Sequence, residues 1–151
     1  MAICVKEKEL AAVGISVATG CKPCTDYHVK AVRQAGAAED EIGQAMADAL
    51  AVRQAATVIM ARHGRAHLGK VEPETQSKPT EQTNRIRVLV SIGAAFGVNC
   101  VVSLEKHLAQ AEAVGVSQDE IATIVKLAVF IKKRAASHVE RLVNVAEQAA
   151  A

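Results

Sequence analysis

Cys21-Lys22-Pro23-Cys24-Thr25-Asp26-Tyr27-His28 recurs 79 residues later in worn form, as Cys100-Val101-Val102-Ser103-Leu104-Glu105-Lys106-His107. The first cysteine and the histidine keep their places in both copies, whereas the second thiol survives only in the first. The register extends outward from this motif. Leu10 pairs with Leu89, Gly14 with Gly93, Gly36 with Gly115, and Asp40-Glu41-Ile42 with Asp119-Glu120-Ile121. Ile42, Ala45, Met46 and Ala49 have the i, i+3, i+4, i+7 spacing of a buried helix face, and Ile121, Ile124, Val125 and Ala128 repeat it. Composition could supply a few alanine matches, but not glycines, a charged triplet and a Cys–His pair in one register. The chain reads as an internal duplication.

Each copy predicts three helices. The first set spans about residues 6–19, 23–35 and 39–63, with Gly36 placed as a C-terminal stop. The second spans about residues 83–98, 101–114 and 118–148, and Ser117 followed by Glu120 is a capping-box pattern. Sustained apolar/polar alternation of the strand type is absent. Residues 64–82 hold Gly64, Gly69, Pro73 and Pro79 among polar side chains and read as a linker, with 71–80 its least ordered part. The expected fold is all-α: one domain over residues 1–151, built from a tandem pair of three-helix repeats, about 6–63 and 83–148.

Composition supports this reading and narrows the functions. Half of the 151 residues are hydrophobic, yet the chain has no Trp, one Tyr and two Phe. Alanine supplies much of the rest, and small side chains allow helices to approach closely. A net charge of +2 gives no reason to expect a nucleic-acid or membrane partner. The basic run Lys132-Lys133-Arg134 reads as a solvated helix face. There is no uninterrupted apolar stretch of about 18 residues to span a bilayer. Lys6, Glu7, Lys8 and Glu9 come too early for a secretory apolar segment, so a cytoplasmic location is expected. In that compartment a CxxC points to redox chemistry or metal binding rather than to a disulfide framework.

The motif supplies what thiol chemistry needs. A thiol attacks as its thiolate, and a free cysteine with a pKa near 8.5 offers little of it at neutral pH. Gly20 ends one helix and Pro23 suits the first turn of the next, so Cys21 and Cys24 fall at a helix N-terminus, where the macrodipole favours negative charge. His28 lies one turn beyond Cys24 on the same face, placed to take its proton.

Cys-x-x-Cys-x-x-x-His in an all-helical, Ala-rich chain, with Glu9 twelve residues before Cys21, resembles the alkylhydroperoxidase D-like branch of the carboxymuconolactone decarboxylase superfamily. The resemblance covers about residues 6–63 with the full motif and 83–148 in degenerate form. It implies a thiol-dependent oxidoreductase, a peroxidase or disulfide reductase, with Cys24 attacking, Cys21 resolving, His28 as base and Glu9 as the far end of the relay. It implies a small peroxide or disulfide substrate, a thiol electron donor, no cofactor, and a homo-oligomer, a trimer first and a dimer second. One departure is Pro23, which stands where peroxidase members commonly carry a histidine and bears on peroxide turnover more than on dithiol–disulfide exchange. Cys-x-Pro-Cys is also similar to thioredoxin, but the βαβ pattern of that fold is absent.

Three other readings compete. Within the superfamily, decarboxylation of a muconolactone-type acid needs no CxxC. Cys21, Cys24 and His28 could instead ligate zinc, with a fourth ligand from Glu9, His63, His67 or the other copy, in a non-catalytic metal-binding or assembly protein. The thiols could also be ordinary buried cysteines. His63 and His67 read as a solvated pair at a fraying helix end. Cys4 reads as a packing residue or free thiol, and Cys100 and His107 as structural remnants. Asp26 is expected at the surface, and Tyr27 either at the substrate entrance or packed.

Overall fold

The computed structural model describes residues 2–74 and 83–143. Six helices account for its regular structure: α1 (Val5–Thr19), α2 (Lys22–Gln34), α3 (Glu39–Ala66), α4 (Arg85–Gly97), α5 (Val101–Ala113) and α6 (Gln118–Val143). No strand occurs among the described residues, so the fold is all-α. The duplication is visible in the boundaries. Moving α2 forward by 79 residues reproduces the bounds of α5, and moving the start of α3 reproduces that of α6.

The helices differ from expectation mainly at their ends. α3 continues through Gly64 to Ala66, three residues beyond the expected stop. One internal glycine costs a long helix only about 1 kcal/mol, and Gly64 is exposed, so nothing there breaks the ladder. Residues 75–82, which include most of the stretch expected to be least ordered, lie outside the described residues, as do 144–148 of the expected last helix.

α1 and α4 form the centre. Every residue from Leu10 to Ser16 is buried on α1, and every residue from Val88 to Ala95 on α4. A helix apolar all round has to be enclosed on all sides, and these two pack on each other and on α3 and α6, with α2 completing the coat of α1 and α5 that of α4. Gly14 and Gly93 occupy equivalent places along the α1–α4 seam. A Cβ on Gly14 would lie 2.6 Å from Val90 Cγ1, and one on Gly93 2.7 Å from Ile15 Cγ1. The repeated glycines therefore set how closely the two central helices approach. The apolar stripes on α3 and α6 face inward as expected: Ile42, Ala45, Ala49, Ile121, Ile124 and Ala128 are buried, and Met46 and Val125 are half-buried against the same clusters.

Charge pairs join helices at points the periodicity did not indicate, two of them between the repeats. Arg85 on α4 bonds Glu7 on α1 at 3.0 Å and also Glu120 on α6. Arg87 on α4 bonds the buried Asp48 of α3 at 2.8 Å. Ser117 and Glu120 form the expected capping box: the Ser117 N–H donates to Oε2 at 2.8 Å and the Glu120 N–H to Oγ at 3.3 Å. Lys132 corrects the reading of the basic run as wholly solvated. Its Nζ donates to Asn99 Oδ1 at 2.5 Å and lies 5.1 Å from the centre of the Phe96 ring, whereas Lys133 and Arg134 are exposed.

Candidate functional site

The end of α1 and the start of α2 share one tight turn. Gly20 adopts a left-handed conformation, φ 73°, its N–H donating to Val17 O at 3.2 Å and that of Cys21 to Ser16 O at 3.0 Å. This is a Schellman closure, which L side chains resist and glycine permits. Cys21 ends that closure and is at once the N-cap of α2, its Sγ accepting from the Cys24 N–H at 3.2 Å. Pro23 occupies the first turn, where its missing N–H leaves no helical bond unmade. The turn thus aims both sulfurs at the positive end of the α2 dipole.

Cys21 and Cys24 are joined as a disulfide, with a Cα–Cα distance of 5.2 Å that falls in the ordinary range for such bridges. Both are buried, at 4% and 8% exposure. They belong to an apolar cluster with Ala12 and Ile15 of α1 and Ala128 and Ile131 of α6, flanked by Phe96 and Ala135.

One turn further along α2, the buried His28 meets Glu9 of α1, Nδ1 to Oε2 at 2.8 Å. A carboxylate on Nδ1 fixes the ring orientation and leaves Nε2 for other partners. Glu9 and His28 are 19 positions apart in sequence, and the packing of α1 on α2 is what brings them together. Tyr27 stands edge-on to His28 with ring centres 5.0 Å apart and is 68% exposed, so it lies at the outer side of this pair rather than in the core. Asp26 is exposed, as expected.

The sequence reading missed His138. It projects from α6, half-buried, with a ring nitrogen within 4.8 Å of the sulfurs of both Cys21 and Cys24. No hydrogen bond is made by its ring among the described residues. The position 79 residues earlier is Ile59, so the duplication could not point to it. A different signal was present. Ala128, Ile131, Ala135 and His138 follow one another at steps of three, four and three, a single face of α6, and the first three face the cysteine cluster.

The second repeat keeps the scaffold but not the disulfide or the His–Glu pair. Asn99 takes the place of Gly20 at φ 59° and repeats the closure, with the Cys100 N–H donating to Ala95 O at 3.0 Å. The Cys100 thiol donates to Ser103 Oγ at 3.2 Å where the first repeat has its disulfide. Val88, buried, stands in the place of Glu9. His107 pairs instead with Gln110, Nδ1 to Oε1 at 2.7 Å, and burial pushes its imidazole below the usual value. His63 and His67 are exposed, stacked edge to face at the C-terminal end of α3, and Cys4 is an exposed free thiol.

Two cavities lie elsewhere. One of about 450 Å³ is lined by Thr19, Arg53, Cys100 and Lys132, and one of about 770 Å³ by Asp48, Arg87, Ser103 and His107. Cys21 and Cys24 line neither.

The helical scaffold thus carries a bonded cysteine pair at a helix N-terminus, with a His–Glu pair one turn along. Residues 3–63 match the model of the Carboxymuconolactone decarboxylase family, in accord with the resemblance to its alkylhydroperoxidase D-like branch. The curated proteins and the solved structures compared with the chain gave no significant match. No helix among the described residues is long and apolar enough to cross a membrane.

Proposed function

We propose that the chain is a thiol-dependent oxidoreductase, a peroxidase or disulfide reductase, that cycles Cys21 and Cys24 between dithiol and disulfide. The observation that carries this is the bonded sulfur pair at the start of α2 with the His28–Glu9 pair one turn away. The family includes enzymes, which supports catalysis in the coarser sense.

In the reduced chain His28 takes the proton of the Cys24 thiol, and Glu9 holds the imidazole through Nδ1 and balances its charge. With a peroxide, the Cys24 thiolate bonds to one oxygen as the O–O bond breaks, and the alcohol leaves with the proton from His28. Cys21 then attacks the Cys24 sulfur, the S–S bond forms and water departs. With a disulfide substrate, Cys24 displaces one thiol of the substrate and Cys21 the other. In both cases an external dithiol restores the pair by supplying two electrons and two protons. Cys21, whose sulfur already accepts the Cys24 N–H, is suited to carry negative charge when the bridge opens.

The test is a count of thiols before and after limited peroxide or oxidised dithiothreitol, with peptide mapping, beside turnover assays using a dithiol donor. Cys21 and Cys24 should be lost together and recovered together, and Cys24→Ser should abolish turnover. In His28→Ala, alkylation of Cys24 at neutral pH should slow and recover at high pH, where the thiolate forms unaided. An alkylation profile unchanged in His28→Ala removes the relay, and two free thiols after oxidation remove the cycle. Turnover of a muconolactone-type acid by Cys24→Ser would favour the decarboxylase reading instead. A cytoplasmic location and a homotrimer, with a dimer second, complete the proposal. Light scattering on the purified chain tests the assembly.

A further inference from the structure

We propose that the reduced Cys21–Cys24 pair and His138 form a redox-gated site for a zinc ion. The donor set comes first. The sulfurs of the Cys21–Cys24 bridge and an imidazole nitrogen of His138 lie within 4.8 Å of one another, and once the bridge is reduced, thiolate with imidazole is the combination that selects zinc. Three protein ligands with an open fourth position for water is an established zinc arrangement. His28 does not join this group: the mutually close ligand atoms are those of Cys21, Cys24 and His138.

Burial and charge come next. Both sulfurs are buried, and two thiolates there would carry more negative charge than the partial positive charge of one helix N-terminus offsets. One Zn²⁺ with two thiolates and a neutral imidazole sums to zero charge, which suits an apolar surround of Ile15, Ile131 and Ala128. Among the described residues the His138 ring has no hydrogen-bond partner to compete with a metal. Its place on the same face of α6 as Ala128, Ile131 and Ala135 puts it on the side that meets the cysteine cluster.

Gating follows from the electrons. A dithiol or phosphine reductant gives the bridge two electrons, two protons are taken up, the S–S bond breaks and two thiols form. Zinc then displaces both thiol protons to solvent, and two S–Zn bonds form. Oxidation by a disulfide removes two electrons from the thiolates, re-forms the S–S bond and releases the ion. Zinc and the disulfide are mutually exclusive.

The experiment titrates ZnCl₂ into the full chain, reduced with a phosphine and then freed of it, against a chromophoric chelator, with Co²⁺ as a spectroscopic probe. The reduced chain should bind one zinc ion per chain and the oxidised chain none. Co²⁺ should show sulfur-to-metal charge-transfer bands, and zinc-edge X-ray absorption a shell of two sulfurs. His138→Ala should weaken binding by about tenfold or more while both thiols still titrate, and His138→Gln should do the same. Zinc affinity unchanged in both variants overturns the proposal, as does loss of binding in His28→Ala but not in His138→Ala. So does equal binding by the oxidised chain. For a variant that fails to fold, the X-ray absorption of the wild-type chain decides, because a shell without two sulfurs and a ring nitrogen is fatal. The inference uses the same sulfurs as the oxidoreductase reading but stands apart from it. Zinc uptake without turnover sustains it alone, and turnover without zinc uptake removes it alone.

Discussion

Replacing Gly93 by alanine tests the central seam of the fold. The new Cβ would lie 2.7 and 2.8 Å from Cγ1 and Cδ1 of Ile15 and 3.2 Å from Ile124 Cγ2. Both isoleucines are fully buried, and Ile15 is locked in the cluster that holds the disulfide, so neither has room to turn away. Overpacking of this kind costs about 1–3 kcal/mol, and two contacts under 3 Å point to the upper half of that range. Alanine returns up to about 1 kcal/mol through helix propensity. The net expectation is a loss of about 1–2 kcal/mol, or roughly 3–7 °C in Tm for a chain of this size. Gly43→Ala is the control. It lies inside α3 with nothing within 4 Å of its added Cβ, so the same substitution should raise stability by up to about 1 kcal/mol. Urea midpoints at neutral pH, on chains with the disulfide intact, measure both. A double variant with Ile15→Ala should cost less than the sum of its parts, because the two changes occupy the same space. Gly93→Ala as stable as Gly43→Ala would refute the close approach of α1 and α4.

Four further outcomes are expected. Glu120→Gln should lose about 2 kcal/mol at neutral pH, since it weakens a buried pair and a helix cap together. Arg85 and the Ser117 N–H hold the Glu120 carboxyl down to about 2, below its ordinary 4.5. Its stabilisation is therefore full above 4.5 and fades as pH falls toward about 2, so urea midpoints of variant and wild type should converge in acid. Burial depresses His107 below its ordinary 6.5, so its neutral ring stabilises the fold above that pH and is lost below it. His107→Gln should accordingly lose less stability than wild type between about pH 7 and 5. Gly20→Ala should cost about 1–2 kcal/mol in thermal melts, from the left-handed φ of 73° and an approach of 3.1 Å to Arg53, whereas Gly20→Asn should cost less, as Asn99 holds the same turn. Ser103→Cys should gain a second oxidisable pair, seen by mass spectrometry as loss of two more hydrogens, because Cys100 Sγ already lies 3.2 Å from Ser103 Oγ.

Local order in the sequence was readable because helix faces, caps and a repeat register are short-range signals. Gly36 stops the second helix and Ser117 caps the last, and the paired stripes on α3 and α6 are buried as their period implies. Glu9 and His28 were brought together in advance only because the motif carries both. Arg85 with Glu7 and Glu120, and Arg87 with Asp48, had no such guide, because each pair joins different helices at separations that no period encodes. His138 was hidden for a related reason. Its partners lie more than a hundred positions away in the sequence, and a histidine extending an alanine–isoleucine stripe looks like an edge of the core until α6 is seen against α2.

The equality of the α2 and α5 boundaries makes the molecule its own calibrant. Cys21 and Cys100 each begin a thirteen-residue helix after the same left-handed closure, in one chain and one solution. A reagent that meets Cys21 and Cys100 in a reduced sample meets a helix N-cap in both cases, but a second thiol and a His–Glu pair in only one. The ratio of their labelling rates, read from a single digest, therefore cancels concentration, pH and folding state. What remains is the increment due to the side chains that the second repeat has lost.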